Sequence, residues 1–183
     1  MLELFEKYAP WKILEYFAIN CSKEVYLKEL SRTLDLSPGS CSKILKDLVN
    51  LQILQKRDSG REHYYKLSNN YLTKELKRFV GLSVIHDAGL VSKIVEEFEG
   101  PTSIALYGSF STGEFNEGSD VDVLIIASKK NLANLYSLEK TIGRDINLQV
   151  FSIGEWLMMK EENSPFYSTV IKNYIVLYGS ELP

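Results

Sequence analysis

The sequence predicts an α+β protein in two parts: a helical N-terminal part closed by a β-hairpin, and a C-terminal part built on a small mixed sheet. Three observations carry that expectation. Up to about residue 68, apolar residues recur at three and four positions and then give way to two strand-like runs around Asp58-Ser59-Gly60. From Ser103 onward, strand-like and helical stretches alternate, the pattern of helices packed on a sheet. The charge also changes sign along the chain: residues 1–70 carry 11 Lys and Arg against 9 Asp and Glu, and the remainder 10 against 15.

The whole chain of 183 residues has a formal charge of -3, with 45% hydrophobic and 25% charged residues, a globular composition. Its longest apolar runs, Val123 to Ala127 and Tyr174 to Tyr178, fall far short of the roughly 20 residues a membrane helix needs. No basic n-region opens the sequence, so a secretory leader is not expected and a cytoplasmic setting is. Cys21 and Cys41 cannot build a disulfide framework, and His63 and His86 have no metal-ligand spacing.

The elements follow in order. Leu2, Phe5, Tyr8, Trp11, Ile13, Leu14, Phe17 and Ala18 predict a core-facing helix broken or tilted near Pro10. Val25-Tyr26-Leu27 is a short β-prone run, and Lys28 to Asp35 a short helix. Ser37-Pro38 starts a third helix, because a serine N-cap accepts an orphan amide and proline is preset for the first helical position. Its stripe of Cys41, Ile44, Leu45 and Leu48 leaves Lys43 and Lys46 to solvent. Ile53 to Arg57 and Glu62 to Leu67 then form a hairpin. Helix, short strand, helix, helix and hairpin is the order of a winged helix-turn-helix, assigned to residues 1–68. Residues 69–99 read as a connecting helix with weak points at Gly81 and Gly89. Across 100–183 the expected order is Ser103 to Tyr107 (strand), Ser109 to Phe115 (helix), Asp120 to Ala127 (strand), Asn131 to Gly143 (helix), Ile146 to Phe151 (strand), helical turns, and Tyr174 to Tyr178 (strand).

Between Leu36 and Lys66 the cations Lys43, Lys46, Lys56, Arg57, Arg61 and Lys66 face only Asp47, Asp58 and Glu62. A local basic stretch on an acidic protein suggests a confined anionic partner. Ser37 to Ser68, with Gly60-Arg61 followed by Tyr64-Tyr65-Lys66-Leu67-Ser68, resembles the winged-helix DNA-binding domains of prokaryotic transcription regulators. The resemblance implies that Ser40, Ser42, Lys43 and Lys46 face the major groove of duplex DNA, and that Lys56, Arg57 and Arg61 meet the backbone. A solvated helix face with a wing used for protein contact is the alternative.

The second cluster spans residues 108 to 126. A strand ending at Tyr107 runs into Gly108-Ser109 at a helix start, where free amides and a hydroxyl suit a phosphate. A dozen residues on, Asp120 and Asp122 stand at the mouth of another strand, with alternation placing both carboxylates on one face. Two such carboxylates call for a cation, and Mg²⁺ prefers a few oxygens plus substrate phosphates. Walker A is excluded, because Glu114-Phe115 stands where its Lys-Ser or Lys-Thr pair belongs. A turn glycine beside solvated aspartates is the alternative reading.

Gly108-Ser109, three residues, Gly113, and then Ser119-Asp120-Val121-Asp122 entering an apolar strand resembles the nucleotidyltransferase superfamily of DNA polymerase beta, in particular its minimal prokaryotic members. The tail Ile171 to Gly179 looks like the closing strand of that group, in which a winged helix often precedes the transferase domain. The resemblance implies that Gly108, Ser109 and Ser119 contact a nucleoside triphosphate (NTP), that Asp120 and Asp122 hold two Mg²⁺ ions, and that Asp120, Asp122 and the residue at Asn147 form the catalytic set. The family usually has a third carboxylate at that last position. Asn147 cannot be a base, and Asp145 lies about 6.6 Å away along the strand. Two functions stand at this point: a Mg²⁺-dependent transferase moving a nucleoside monophosphate to an unknown hydroxyl, or a DNA-bound regulator that senses a nucleotide or docks a partner protein. Helical toxin partners occur in the family, and winged-helix proteins on palindromic sites are commonly homodimers.

Overall fold

The computed structural model describes residues 5, 7–60, 62–98, 100–128 and 136–183. Leu2, Arg61 and residues 131–135 of the expected helix lie outside the described residues. The chain divides into two compact units, Met1–Val80 and Gly81–Pro183.

The first unit runs α1 (Ala9–Ile19), β1 (Val25–Tyr26), α2 (Leu27–Thr33), α3 (Pro38–Asn50), β2 (Leu54–Ser59) and β3 (Glu62–Leu67). Its antiparallel sheet is ordered β1-β3-β2, with Val25 opposite Tyr65 and Leu54 opposite Leu67. This is the winged helix-turn-helix read from the sequence. Pro10 is the second residue of α1 and does not break it, lying in the first turn where its missing N–H is no loss. The Ser37 hydroxyl caps α3 by accepting from the Ser40 amide at 3.1 Å. Ile13, Phe17, Leu30, Cys41 and Leu45 are fully buried and form the core between the three helices and the sheet. Burial pushes the Cys41 thiol pKa up, as befits an inert core thiol.

α4 (Tyr71–Asp87) and α5 (Leu90–Glu97) follow. The two glycines behave differently. Gly89 is left-handed at φ 73° and separates the helices. Gly81 stays helical, because the ring pair Phe110 and Phe115, stacked at 4.2 Å, lies where its Cβ would be, 3.0 Å from Phe110.

The second unit adds β4 (Ser103–Tyr107), α6 (Gly108–Thr112), β5 (Val121–Ile126), α7 (Tyr136–Ile142), β6 (Ile146–Phe151), α8 (Ile153–Glu161), α9 (Pro165–Val170) and β7 (Ile175–Gly179). The sheet is mixed: its order is β6-β5-β4-β7, with β5 and β6 parallel and the other pairs antiparallel. β4 and β5 are sealed on both faces, hence their continuous apolar runs. Ile104, Leu106, Val123 and Ile125 face the layer containing α5, while Ala105, Tyr107, Leu124 and Ile126 pack with Trp156 and Val170 of α8 and α9. Trp156 is fully buried, and its indole N–H donates to the Pro183 carbonyl at 3.1 Å. Trp156→Ala should lower unfolding free energy by about 3–5 kcal/mol. A denaturant midpoint unchanged by that substitution would contradict this packing.

Candidate functional site

Alternation along β5 decides which face the acidic cluster shares. Asp122 is in phase with Leu124 and Ile126, so it points to the α8–α9 side, and as the strand's second residue it lies at the rim of that layer, half-buried. Pairing then brings three residues of neighbouring strands together there. Tyr107 at the end of β4 is opposite Asp122, and Asn147 of β6 is beside it in the parallel register. The Asn147 amide donates to Asp122 Oδ1 at 3.0 Å, and Gln149, two residues on and on the same face, donates to Asn147 Oδ1 at 3.1 Å.

Gly108 completes the rim. Its φ of 68° turns the chain from β4 into α6, and any Cβ there would overlap the Asp122 carboxylate. Ser111 holds this turn by donating to the Gly108 and Asn173 carbonyls at 2.8 and 3.0 Å. Ser109 is half-buried in the first turn of α6, and Asp120 is exposed just ahead of β5. The Ser119 hydroxyl closes the loop before β5, accepting from the Asn116 amide at 2.9 Å.

Charge follows burial. Asp122 titrates above the usual carboxylate range, first because it is desolvated and secondarily because Asp120 is near, while the Asn147 hydrogen bond opposes both. Tyr107 is pushed up to about 12 by burial and by Asp122, so its phenol stays protonated at neutral pH. An acid with a raised folded-state pKa favours folding below its unfolded value near 3.8, and that contribution is lost as pH rises through the raised value. Asp122→Asn should therefore raise Tm at pH 7, with the gain shrinking as pH falls toward 3.8. A gain equally large at pH 3 would contradict this electrostatic origin.

Among the described residues, no cluster of three or more His, Cys, Asp and Glu side chains is disposed to hold a metal. The fit to a divalent cation rests on the Asp122 carboxylate beside the side-chain-free wall that Gly108 supplies and on Asp120 near that carboxylate, an all-oxygen pair of the kind Mg²⁺ takes when phosphates complete its shell. Asp120 and Asp122 are the residues that would hold it. Asn147 presents its nitrogen to Asp122, and its oxygen is engaged by Gln149. Asp145 is exposed ahead of β6, and its backbone carbonyl accepts from Val121 at 2.9 Å.

Sequence reasoning missed Gln149, although its i+2 spacing from Asn147 on a strand was the available signal. The Arg144 guanidinium donates to the Ser119 carbonyl at 2.9 Å and to the Asn116 carbonyl, and lies 5.2 Å from the Phe110 ring centre, so it braces the loop that delivers Asp120.

In the first unit, Ser42, Lys43 and Lys46 are exposed on α3 and Ser40 is half-buried. No ion pair among the described residues engages Lys43 or Lys46. The wing cations differ. Arg57 pairs with Glu24 at 2.6 Å and lies over the Tyr64 ring, and Lys56 pairs with Asp58 at 2.9 Å. Asp58 also meets His63 Nδ1 at 2.6 Å, and the two partners hold its carboxyl below the usual range.

Residues 90–178, from the start of α5 almost to the end of β7, match the family described as the nucleotidyltransferase domain. The match lies within the C-terminal unit, which carries a nucleotidyltransferase domain by that likeness, and the unit ahead of it has the winged helix-turn-helix fold. Among solved structures, the chain is 24% identical to reduced HlyU from Vibrio cholerae, over 47% of this chain and 81% of that one, with a TM-score of 0.35. It is 17% identical to the adhesin competence repressor AdcR from Streptococcus pyogenes, over 53% of this chain and 72% of that one, with a TM-score of 0.39. No curated protein matches the chain. No helix among the described residues is long and apolar enough to cross a membrane.

Proposed function

We propose that the C-terminal domain binds a nucleoside triphosphate together with Mg²⁺ and transfers its nucleoside monophosphate slowly to a hydroxyl acceptor, while the winged helix contacts duplex DNA. The observation that carries this reading is the convergence of Gly108, Asp122 and Asn147 at one rim of the sheet through strand register. Gly108 lets the triphosphate approach the backbone, Ser109 offers a hydroxyl and an amide to it, and Asp120 with Asp122 holds the cation. The bound cation would orient the phosphates and offset the charge that develops on the leaving pyrophosphate. In the transfer, the acceptor oxygen bonds to the α-phosphorus, the bond to the bridging oxygen of the pyrophosphate breaks, and the hydroxyl proton passes to solvent. Asn147 has no carboxylate to take that proton, which supports slow turnover.

The same amide supports a second reading, a DNA-bound regulator that holds a nucleotide without turnover. Pyrophosphate release from NTP and Mg²⁺, measured beside NTP binding, separates the two. Binding with slow release supports transfer, binding without release supports the regulator, and neither binding nor release would remove the site.

For DNA, the exposed α3 cations are the better phosphate ligands, because Lys56 and Arg57 already have carboxylate partners. Lys43→Ala with Lys46→Ala should flatten the logarithmic salt slope of duplex binding by about 0.9 for each phosphate contact removed. A slope unchanged by the double substitution would contradict the α3 assignment.

A further inference from the structure

The rim holds a line of hydrogen bonds whose direction is fixed from one end. A carboxylate only accepts, so the group Asn147 turns toward Asp122 Oδ1, 3.0 Å away, must be its NH₂. Its oxygen then faces Gln149, whose NH₂ donates to it at 3.1 Å. Gln149 thereby opposes rotation of the Asn147 amide, since turning it over would set nitrogen against nitrogen and oxygen against carboxylate.

We infer that this Gln149–Asn147–Asp122 ladder limits the site to a single divalent cation, carried by the nucleotide, and that Gln149 is the positioning residue that keeps it so. The inference rests on the nucleotide-site reading above and adds the stoichiometry of its metal. Three consequences of the ladder act together. One lone pair of Asp122 is spent on the amide. What Asn147 turns toward Asp122 is the positive, N–H end of its amide and not an oxygen that could ligate a cation. The only side-chain oxygen of Asn147 is turned to Gln149. A third carboxylate at this position would instead stand within hydrogen-bonding distance of Asp122 as a like charge, a pair that calls for a cation to relieve it.

The test counts Mn²⁺ on the full-length chain by electron paramagnetic resonance, with each of the four ribonucleoside triphosphates in turn. The parent should take one Mn²⁺ per bound nucleotide. Asn147→Asp should take two. Gln149→Leu, which removes the donor without adding charge and frees the Asn147 side-chain oxygen, should let a second Mn²⁺ bind, raising the count above one at saturating Mn²⁺. A count that stays at one in Gln149→Leu, whatever Asn147→Asp takes, would confine Gln149 to packing and overturn the inference. Two Mn²⁺ per nucleotide in the parent would overturn it equally, with the nucleotide site left standing. A parent that binds no nucleotide with Mn²⁺ would instead bring down the site reading and the inference together.

Discussion

Asn147→Asp should raise nucleoside monophosphate transfer by about a hundred- to ten-thousand-fold, the range of general-base assistance, and leave NTP affinity little changed. Asn147 is the in-register neighbour of Asp122 on the adjoining parallel strand, so a carboxylate there joins the acidic pair without any movement of the backbone. NTP affinity rests on Gly108, Ser109 and the two aspartates; the substitution removes the Asn147 donation to Asp122 but keeps all four of those residues. The measurement is pyrophosphate release by parent and variant, with water as the surrogate acceptor where no other is supplied. Asp145→Ala serves as the control: it is exposed ahead of β6, and its carbonyl, which the substitution keeps, is the group bonded to Val121. Rapid release in the parent that survives Asp145→Ala would mean that another group takes the proton.

Asp120→Asn combined with Asp122→Asn should abolish divalent-dependent NTP binding and raise thermal stability in the absence of metal. Both effects have one origin. Desolvation and the nearby Asp120 disfavour the ionised form of Asp122, so removing the two charges relieves the folded state while stripping the cation of its ligands. An asparagine at 122 can still accept from Asn147, so the ladder gives no reason for the variant to unfold. Binding lost along with a lowered Tm would point to damage at the rim instead of to the charges.

Much of this site was legible before the fold was known, because its chemistry is local. Gly108-Ser109 and Ser119-Asp120-Val121-Asp122 each lie on one turn or strand entry, where residue type and alternation suggest a candidate role before any fold is drawn. The β4 bounds and the cap of α3 were equally plain, since an unbroken apolar run and Ser37-Pro38 each admit few conformations. What could not be read was pairing across strands. The donation from Asn147 to Asp122 depends on the parallel register of β5 and β6, and the bracing of the 116–119 loop by Arg144 spans some 25 residues. Gly81 fails as a breaker for a related reason: its neighbours Phe110 and Phe115 come from a distant segment, and tertiary packing overrides a weak local preference. The pairing of Arg57 could not be read either, because Glu24 reaches it from 33 positions away.

Calorimetric titration of the full chain with NTP, with and without Mg²⁺, tests the central claim most directly, that the rim formed by Gly108, Asp120 and Asp122 is a nucleotide–cation site. Heat of binding should require Mg²⁺ in the parent and vanish in the Asp120→Asn, Asp122→Asn variant. Mg²⁺-dependent binding that persists in that variant, or no binding by the parent at any Mg²⁺ concentration, would contradict it.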